Sequence, residues 1–413
     1  MKKHIKYIIL FLLLFTLNSY SLPLKKNEHT FLVISDIHLN TLYPHRMEIN
    51  PSKQTVKNDL DQPMLEILIS QIKNNIQKGV IPKPDFIIFL GDLAGHLRSS
   101  SHNTLNTESI VFRLLRNNFS PIPIFYTFGN NDSLEKDYGA FKDDGLPTQY
   151  KSPYEAAKFN SGWGDGFLST GTICTLKKSN FPCIINENTE RGYYSALIAS
   201  HLRLISLNSI LFSPKYIHGK DQSAMDELRW LQEQLNAAKK NQDYVLITMH
   251  IPVGNNVYDH SNFWIAQYQK IFLNTLKIYS PIIIGLLAAH THQEELKIIK
   301  NTLNQTIAGV YYAPALSTAF GNSPAVKTFY FSQKNNHWAL SNYETFHFLV
   351  KNKQLIFNKL YNYQSYYCTG QESSLLECLN NVTADKMKKY LSSGNQNFAG
   401  IMKSPQDMIL VTP

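Results

Sequence analysis

Five short apolar runs in this chain each stop at residues able to bind a metal, which constrains the fold to one that sets several strand ends side by side. Thr30 to Ser35 (TFLVIS) ends at Asp36-Ile-His38, Phe86 to Leu90 at Gly91-Asp92, and Ile122 to Phe128 at Gly129-Asn130-Asn131-Asp132. Tyr244 to Met249 runs into His250, and Ile282 to Ala289 into His290-Thr-His292. Each run is continuously apolar and bounded by turn residues, the pattern of a strand covered on both faces. Helical periodicities lie between them. Asp61 to Gln77 aligns Met64, Leu65, Leu68, Ile69, Ile72 and Ile76, with Gly79 as the stop. Asp221 to Lys240 aligns Met225, Leu228, Trp230, Leu231 and Leu235, and Phe263 to Ile278 forms a third helix. Strand and helix alternating, with ligands at strand ends, predicts an α/β fold whose site lies along a sheet edge.

The chain opens with Lys2, Lys3 and Lys6, an apolar stretch from Tyr7 to Leu17, and small residues at Ser19 and Ser21. This reads as a signal peptide over residues 1–21 and places the protein outside the cytoplasm, secreted or periplasmic. The apolar stretch is short of the roughly 20 residues that a spanning helix needs. With export, disulfides are allowed, and the four cysteines fall into local pairs, Cys174 with Cys183 and Cys368 with Cys378. The formal charge of +9, part of it from the signal lysines, is spread without a basic block. It suits an anionic small molecule and argues against nucleic acid. Residues 22–345 are expected to form the catalytic domain and residues 346–413 a small helical appendage.

Two cations a few Å apart repel one another, so a two-metal site needs an anionic bridge. Asp92, set at a turn by Gly91, is the candidate. Asp36 and His38, two apart at a strand end, point to one side and can chelate one metal together. His290 and His292 share that spacing and can each serve a different metal. The Asn130 amide can ligate without adding charge, and His250 completes the second metal. The donors are nitrogen and oxygen only, which suits Zn, Mn or Fe better than Ca.

In this order the motifs resemble the calcineurin-like metallophosphoesterases, and within them the acid sphingomyelinase-like phosphodiesterases. The resemblance also rests on Asp36-Ile-His38-Leu-Asn40-Thr-Leu-Tyr43, Gly91-Asp92-Leu-Ala-Gly-His96, Leu228-Arg-Trp230-Leu231, His250-Ile-Pro252-Val-Gly254, and Pro314-Ala-Leu-Ser317 through Phe320-Gly321-Asn322-Ser-Pro324. It implies a four-layer αββα sandwich, two mixed sheets flanked by helices. It implies two divalent metals, usually zinc, one held by Asp36, His38, Asp92 and His292, the other by Asp92, Asn130, His250 and His290. It further implies that His96 protonates the leaving oxygen. Two positions depart from the family pattern. Asn131 stands where a histidine is common, leaving it a substrate-binding role toward a phosphoryl oxygen, and Asn40 stands where many members have Asp.

The expected reaction is in-line attack on phosphorus by a metal-bridged hydroxide, with His96 as general acid. Only residues 22–35 separate the expected cleavage point from Asp36, which leaves no room there for a lipid-extracting domain. Soluble phosphodiesters or phosphoanhydrides, such as nucleotides or CDP-choline, are therefore the expected substrates. Sphingomyelin or another phospholipid, which would bring the enzyme to a membrane surface, is the alternative. Long-chain polyphosphate is suggested by the Gly-Asn-Asn-Asp form, and a non-catalytic nucleotide binder is the reading from another class. Tyr258, Phe263 and Trp264 are placed to stack a base, cover a lipid or fill the core.

Overall fold

The computed structural model describes residues 28–42, 59–97, 99–141, 168–169, 172–175, 181–220, 222–351, 354–370, 372–393 and 402–413; the expected signal at 1–21 and Tyr43 lie outside them. Its strands are β1 (Glu28–Ile34), β2 (Phe86–Phe89), β3 (Ile124–Tyr126), β4 (Cys183–Asn188), β5 (Tyr193–Ala199), β6 (Leu202–Ser206), β7 (Tyr244–Thr248), β8 (Ile283–Ala288), β9 (Leu296–Lys300), β10 (Thr306–Tyr312), β11 (Ala325–Lys334), β12 (His337–Lys351), β13 (Gln354–Asn362) and β14 (Ile409–Val411). They form two mixed sheets, a six-stranded one in the order β13-β12-β11-β1-β2-β3 and an eight-stranded one in the order β14-β9-β10-β8-β7-β6-β5-β4. The strands carrying the expected motifs are parallel within each sheet: β1, β2 and β3 in the first, β7 and β8 in the second.

The longer helices are α1 (Gln62–Gln77), α2 (Ser101–Phe119), α3 (Gln222–Lys240) and α4 (Ala266–Tyr279). In α1 the Asp61 side chain accepts the Met64 N–H, Pro63 occupies the first turn, and Leu65, Leu68, Ile69 and Ile72 turn inward at helical spacing. Gly79, at φ 72°, follows its end. Helices α1 and α2 touch each other, as do α3 and α4, and α3 lies against β6 and β7. This is the expected arrangement of two sheets with flanking helices. Among the described residues no helix is long and apolar enough to cross a membrane.

The facing sheets are joined by apolar packing and by two polar clasps. In the packing, Tyr311 meets Phe329 and Tyr343. In one clasp the Thr127 hydroxyl, just past β3, lies 2.9 Å from the Ser206 hydroxyl and 3.1 Å from the Thr248 hydroxyl of the second sheet. In the other, Lys327 of β11 pairs with Glu294, which also accepts from the Tyr361 hydroxyl at 2.7 Å. Lys327 donates as well to the Tyr312 carbonyl of β10, so this buried pair has the additional hydrogen bonds that a buried charge requires.

The boundary expected between 345 and 346 falls inside β12, and β13 and β14 extend the two sheets, so strands as well as helices occupy this part of the chain. The helical reading after Cys368 corresponds to α6 (Leu375–Cys378) and α7 (Ala384–Lys388), which follow α5 (Tyr363–Tyr367). Both local disulfides form, Cys174–Cys183 and Cys368–Cys378. The second closes a loop of sequence separation 10 and ties α5 to α6. Replacing both of its cysteines by serine is expected to cost about 2–3 kcal/mol through loop-closure entropy. A lower urea midpoint at unchanged turnover is the readout; an unchanged midpoint would show the loop to be held by packing alone.

Candidate active site

The C-terminal ends of β1, β2 and β3 meet those of β7 and β8 at one edge of the sandwich, the usual position of sites in open α/β sheets. The loops after β1 and β2 are laced by main-chain bonds: Asp36 N–H donates to the Gly91 carbonyl at 3.0 Å and His38 N–H to that of Asp92 at 3.1 Å. Ser317 N–H donates to the Asp36 carbonyl at 3.1 Å and Ala315 N–H to that of His292 at 3.2 Å, so the Pro314–Ser317 segment ties a loop of one sheet to a loop of the other. Asp36, His38, Asp92, His290 and His292 all have φ between 47° and 75°. Non-glycine residues seldom adopt that region, and holding each one there costs on the order of 1–3 kcal/mol. Such strain, gathered at one edge, points to side-chain geometry demanded by function.

The side chains form two groups sharing one carboxylate. In the first, the Nε2 atoms of His38 and His292 lie 3.0 Å apart, with Asp36 Oδ1 at 3.8 Å and 3.4 Å from them. Asp36 Oδ2 accepts the Ser35 hydroxyl, while Oδ1 is buried with no hydrogen-bond partner. In the second, His250 Nε2 lies 3.0 Å from Asn130 Oδ1, and the His290 ring stands edge-on to His250 at 5.3 Å. Asp92 Oδ2 sits between the groups, 3.4 Å from His38 Nε2 and 3.3 Å from His250 Nε2. The outer nitrogens of His38 and His250 face the Ala94 and Leu90 carbonyls at 3.2 Å and 2.7 Å, which turns both Nε2 atoms inward.

Burial opposes ionisation here, yet His292 and His38 hold Asp36 down to about 2, and His250 and His38 hold Asp92 well below the usual carboxylate range. Against the same burial, Asp36 and Asp92 raise His38 to about 9, and Asp92 and Asp36 do the same for His250. Burial, reinforced by neighbouring imidazoles, pushes His290 and His292 down to about 3. The two carboxylates thus draw positive charge into the floor of the site. That demand, the partnerless Asp36 oxygen and the convergent nitrogen and oxygen donors fit divalent cations, as do the clusters Asp36-His38-Asp92 and Asp92-His250-His290.

Above this floor opens a cleft of about 500 Å³, lined by Asp92, His96, Asn130, Asn131, His290 and His292 among others. Asp36, His38 and His250 lie buried beneath it. The nine residues singled out from the sequence therefore gather at one place. Asn131 turns toward Asp92, its N–H donating to Oδ1 at 2.8 Å and its amide to Oδ2 at 3.0 Å. The His96 ring stacks on His38 with centroids 4.1 Å apart. Tyr258 and Phe263 line the cleft, whereas Trp264 is core, packed on Phe212 and Phe272 with its indole N–H on the Ile251 carbonyl.

Sequence reasoning missed several contributors. Asp132 accepts from the N–H groups of Asp92, Leu93 and Gly129 and from the Tyr126 hydroxyl, pinning the loop after β2 to the one after β3. It stood inside the Gly-Asn-Asn-Asp motif, so a signal was present. Asp137 accepts from the Asn130 amide, and the Tyr138 hydroxyl lies 3.3 Å from His290 Nε2. Phe320 also lines the cleft, inside the Phe320–Pro324 stretch that carried no assigned role, and so does Lys215, which no local pattern marks.

The sequence profile described as Calcineurin-like phosphoesterase matches residues 29–294. The cyclic GMP-AMP phosphodiesterase SMPDL3A of Mus musculus is 28% identical over 272 residues, covering 62% of this chain and 55% of that protein. Sphingomyelinase phosphodiesterase D of Dictyostelium discoideum is 29% identical over 291 residues, 67% of this chain and 58% of that protein. The chain thus spans little more than half the length of these curated relatives. A dimetal phosphatase from Danio rerio superposes with a TM-score of 0.47 at 12% identity, over 77% of this chain and 95% of that one. With its profile matched over more than half its length, the chain belongs to the calcineurin-like phosphoesterase family, and its relatives there are acid sphingomyelinase-like.

Proposed function

We propose that the protein is an exported two-metal phosphodiesterase acting on soluble phosphodiesters or phosphoanhydrides of the nucleotide or CDP-choline type. The observation that carries this reading is the place of Asp92 Oδ2, 3.4 Å and 3.3 Å from the inner nitrogens of His38 and His250, where one carboxylate can serve two cations. Asp36, His38, Asp92 and His292 would hold one metal, and Asp92, Asn130, His250 and His290 the other, with zinc first and manganese or iron next. What a divalent pair supplies in such a site is neutralisation of phosphoryl charge and a water acidic enough to attack at neutral pH. The chain's own residues do the rest. His96, on the cleft wall, gives its proton to the departing oxygen, a contribution of typically 10²–10⁴-fold. Asn131 holds Asp92 in place through its main-chain N–H and its amide, and its place on the cleft wall supports contact with a phosphoryl oxygen.

Lys215 and the aromatic rings of Tyr138, Phe263 and Phe320 line the open cleft, which supports a substrate with a negative charge and a flat or apolar group beside the scissile bond. Both disulfides belong to oxidising compartments, and with the lysine-flanked apolar start they support export. The test is product release by metal-loaded protein from ATP, CDP-choline, sphingomyelin liposomes and long-chain polyphosphate, each with and without EDTA. Chelator-sensitive turnover of ATP or CDP-choline is expected. Turnover of liposomes alone would move the assignment to a phospholipid phosphodiesterase. Stoichiometric nucleotide binding without turnover would make the chain a binding protein.

A further inference from the structure

Residues 254–263, which follow His250, double back on themselves: Asn256 N–H donates to the Ser261 carbonyl at 2.8 Å and Phe263 N–H to that of Gly254 at 3.0 Å. This hairpin lines the cleft with Asn256, Tyr258 and Phe263. It rests on residues 404–413. Ser404 N–H donates to the Val257 carbonyl at 2.9 Å, the Asn255 amide to Asp407 Oδ1 at 3.3 Å, and His260 Nδ1 lies 2.6 Å from Asp407 Oδ2. Within the same residues, β14 runs parallel to β9 at the edge of the eight-stranded sheet. The two segments approach closely: a Cβ on Gly254, at φ 101°, would fall 2.8 Å from Leu410 Cδ2.

At the seam between them lies an ammonium that the reaction does not use. Lys297 of β9 is fully buried, and its Nζ donates to the Asn255 carbonyl at 2.6 Å, on the hairpin, and to the Asp407 carbonyl at 2.7 Å, on the other segment. Burial pushes this ammonium down to about 8, with Glu295 and Asp407 opposing, so it stays charged at neutral pH. A buried charge is costly, and a methionine would fill the space without that cost. What methionine cannot do is hold two carbonyls of different segments at once. The same Nζ lies 5.9 Å from the Phe263 ring centroid, within cation–π range, and the Phe263 ring stands edge-on to His290 at 5.8 Å. Lys297, Phe263 and His290 thus form a succession of contacts from the seam to the floor of the site. We propose that Lys297 is a positioning residue for substrate: it fastens the hairpin to residues 404–413, with Asp407 as the second tie, and so sets Tyr258 and Phe263 at the height above the floor where they grip the flat organic group of a phosphate ester. The inference rests on the nucleotide-type substrate given above.

The experiment measures the affinity of metal-loaded protein for AMP and for inorganic phosphate by calorimetry, its bound metal, and kcat and KM for a nucleoside p-nitrophenyl phosphodiester and for methyl p-nitrophenyl phosphate. It compares wild type with Lys297→Met, which keeps the length of the side chain and removes the donor, and with Asp407→Ala, which removes the side-chain tie. In Lys297→Met the preference for AMP over phosphate is expected to fall about 10-fold, on the scale of one lost base–aromatic stack, at unchanged phosphate affinity and metal content. KM for the nucleoside ester is expected to rise by the same factor at unchanged kcat, while the methyl ester, which has nothing for the hairpin to grip, is turned over as before. Asp407→Ala is expected to shift the preference in the same direction, and carries the test should Lys297→Met not fold. An unchanged preference, or a parallel loss of phosphate affinity or of metal, would overturn the positioning role. So would a wild type that binds AMP no better than phosphate. A wild type that prefers AMP and loses the preference in Lys297→Met, yet hydrolyses neither ester, would support the positioning role and overturn the phosphodiesterase reading.

Discussion

Asp92→Asn is expected to lower turnover by more than about 10³-fold and to leave the protein with fewer than two bound metals. The substitution keeps the shape and removes one charge, so it isolates electrostatics. Two dications about 4 Å apart repel by on the order of 15 kcal/mol at the effective dielectric that suits protein sites. Asp92 Oδ2 is the carboxylate oxygen set between His38 and His250, so a neutral amide there leaves that repulsion without its nearest offset. Removing one fixed donor from an oxyanion hole already costs about 10²–10³-fold, and a carboxylate shared by two cations contributes more. Metal analysis of the purified variant and a turnover assay check this together. Two metals retained with near-normal turnover would refute the bridging role of Asp92.

Gly129→Ala is expected to be nearly as damaging although it removes no donor. A Cβ there would collide with both the main-chain nitrogen and Oδ1 of Asp92 and approach Asp132 Oδ2 to 3.0 Å. The main-chain atom cannot swing aside as a flexible side-chain tip would, so the loop after β2 must shift. Overpacking of this kind costs about 1–3 kcal/mol, and displacement of reacting groups by about 1 Å can cost 10²-fold in rate. The expected outcome is a lower melting temperature together with a loss of at least about 10²-fold in turnover. A variant that melts lower but keeps its turnover would show that Asp92 follows the loop without losing its aim.

The strands that carry the site were legible because a doubly covered parallel strand is written as an unbroken apolar run, and here each run stops where a polar side chain must emerge. Helix α1 was legible for a related reason: cap, first-turn proline and inward spacing agree from Asp61 to Gln77. Helix α2 was not seen, because its inward face includes Thr104, Thr107 and Glu108, which blur the apolar stripe. The run β4 to β6 escaped as well; β4, at the edge of its sheet, reads CIINEN, and its second half is polar. The C-terminal strands were hidden by tyrosines and asparagines that gain meaning only in partnership, as when Tyr361 donates to Glu294. Asp59, whose Oδ1 lies 2.7 Å from His96 Nδ1, stands 37 residues before it in the chain, and no local spacing can report such a pair.

The hydroxyl clasp of Thr127, Ser206 and Thr248 sits just beneath the strand ends that carry Asn130 and His250. Methyl groups in those positions would let the sheets slip past one another at little cost, since apolar contact has no preferred direction. Hydroxyls bond only within a narrow range of distance and angle, so slippage breaks them. The gap between the two halves of the site is thereby gauged by a fastener inside the sandwich, out of reach of whatever enters or leaves the cleft. Substitutions at Ser206 or Thr248, remote from any substrate, would loosen that gauge before they loosened the fold.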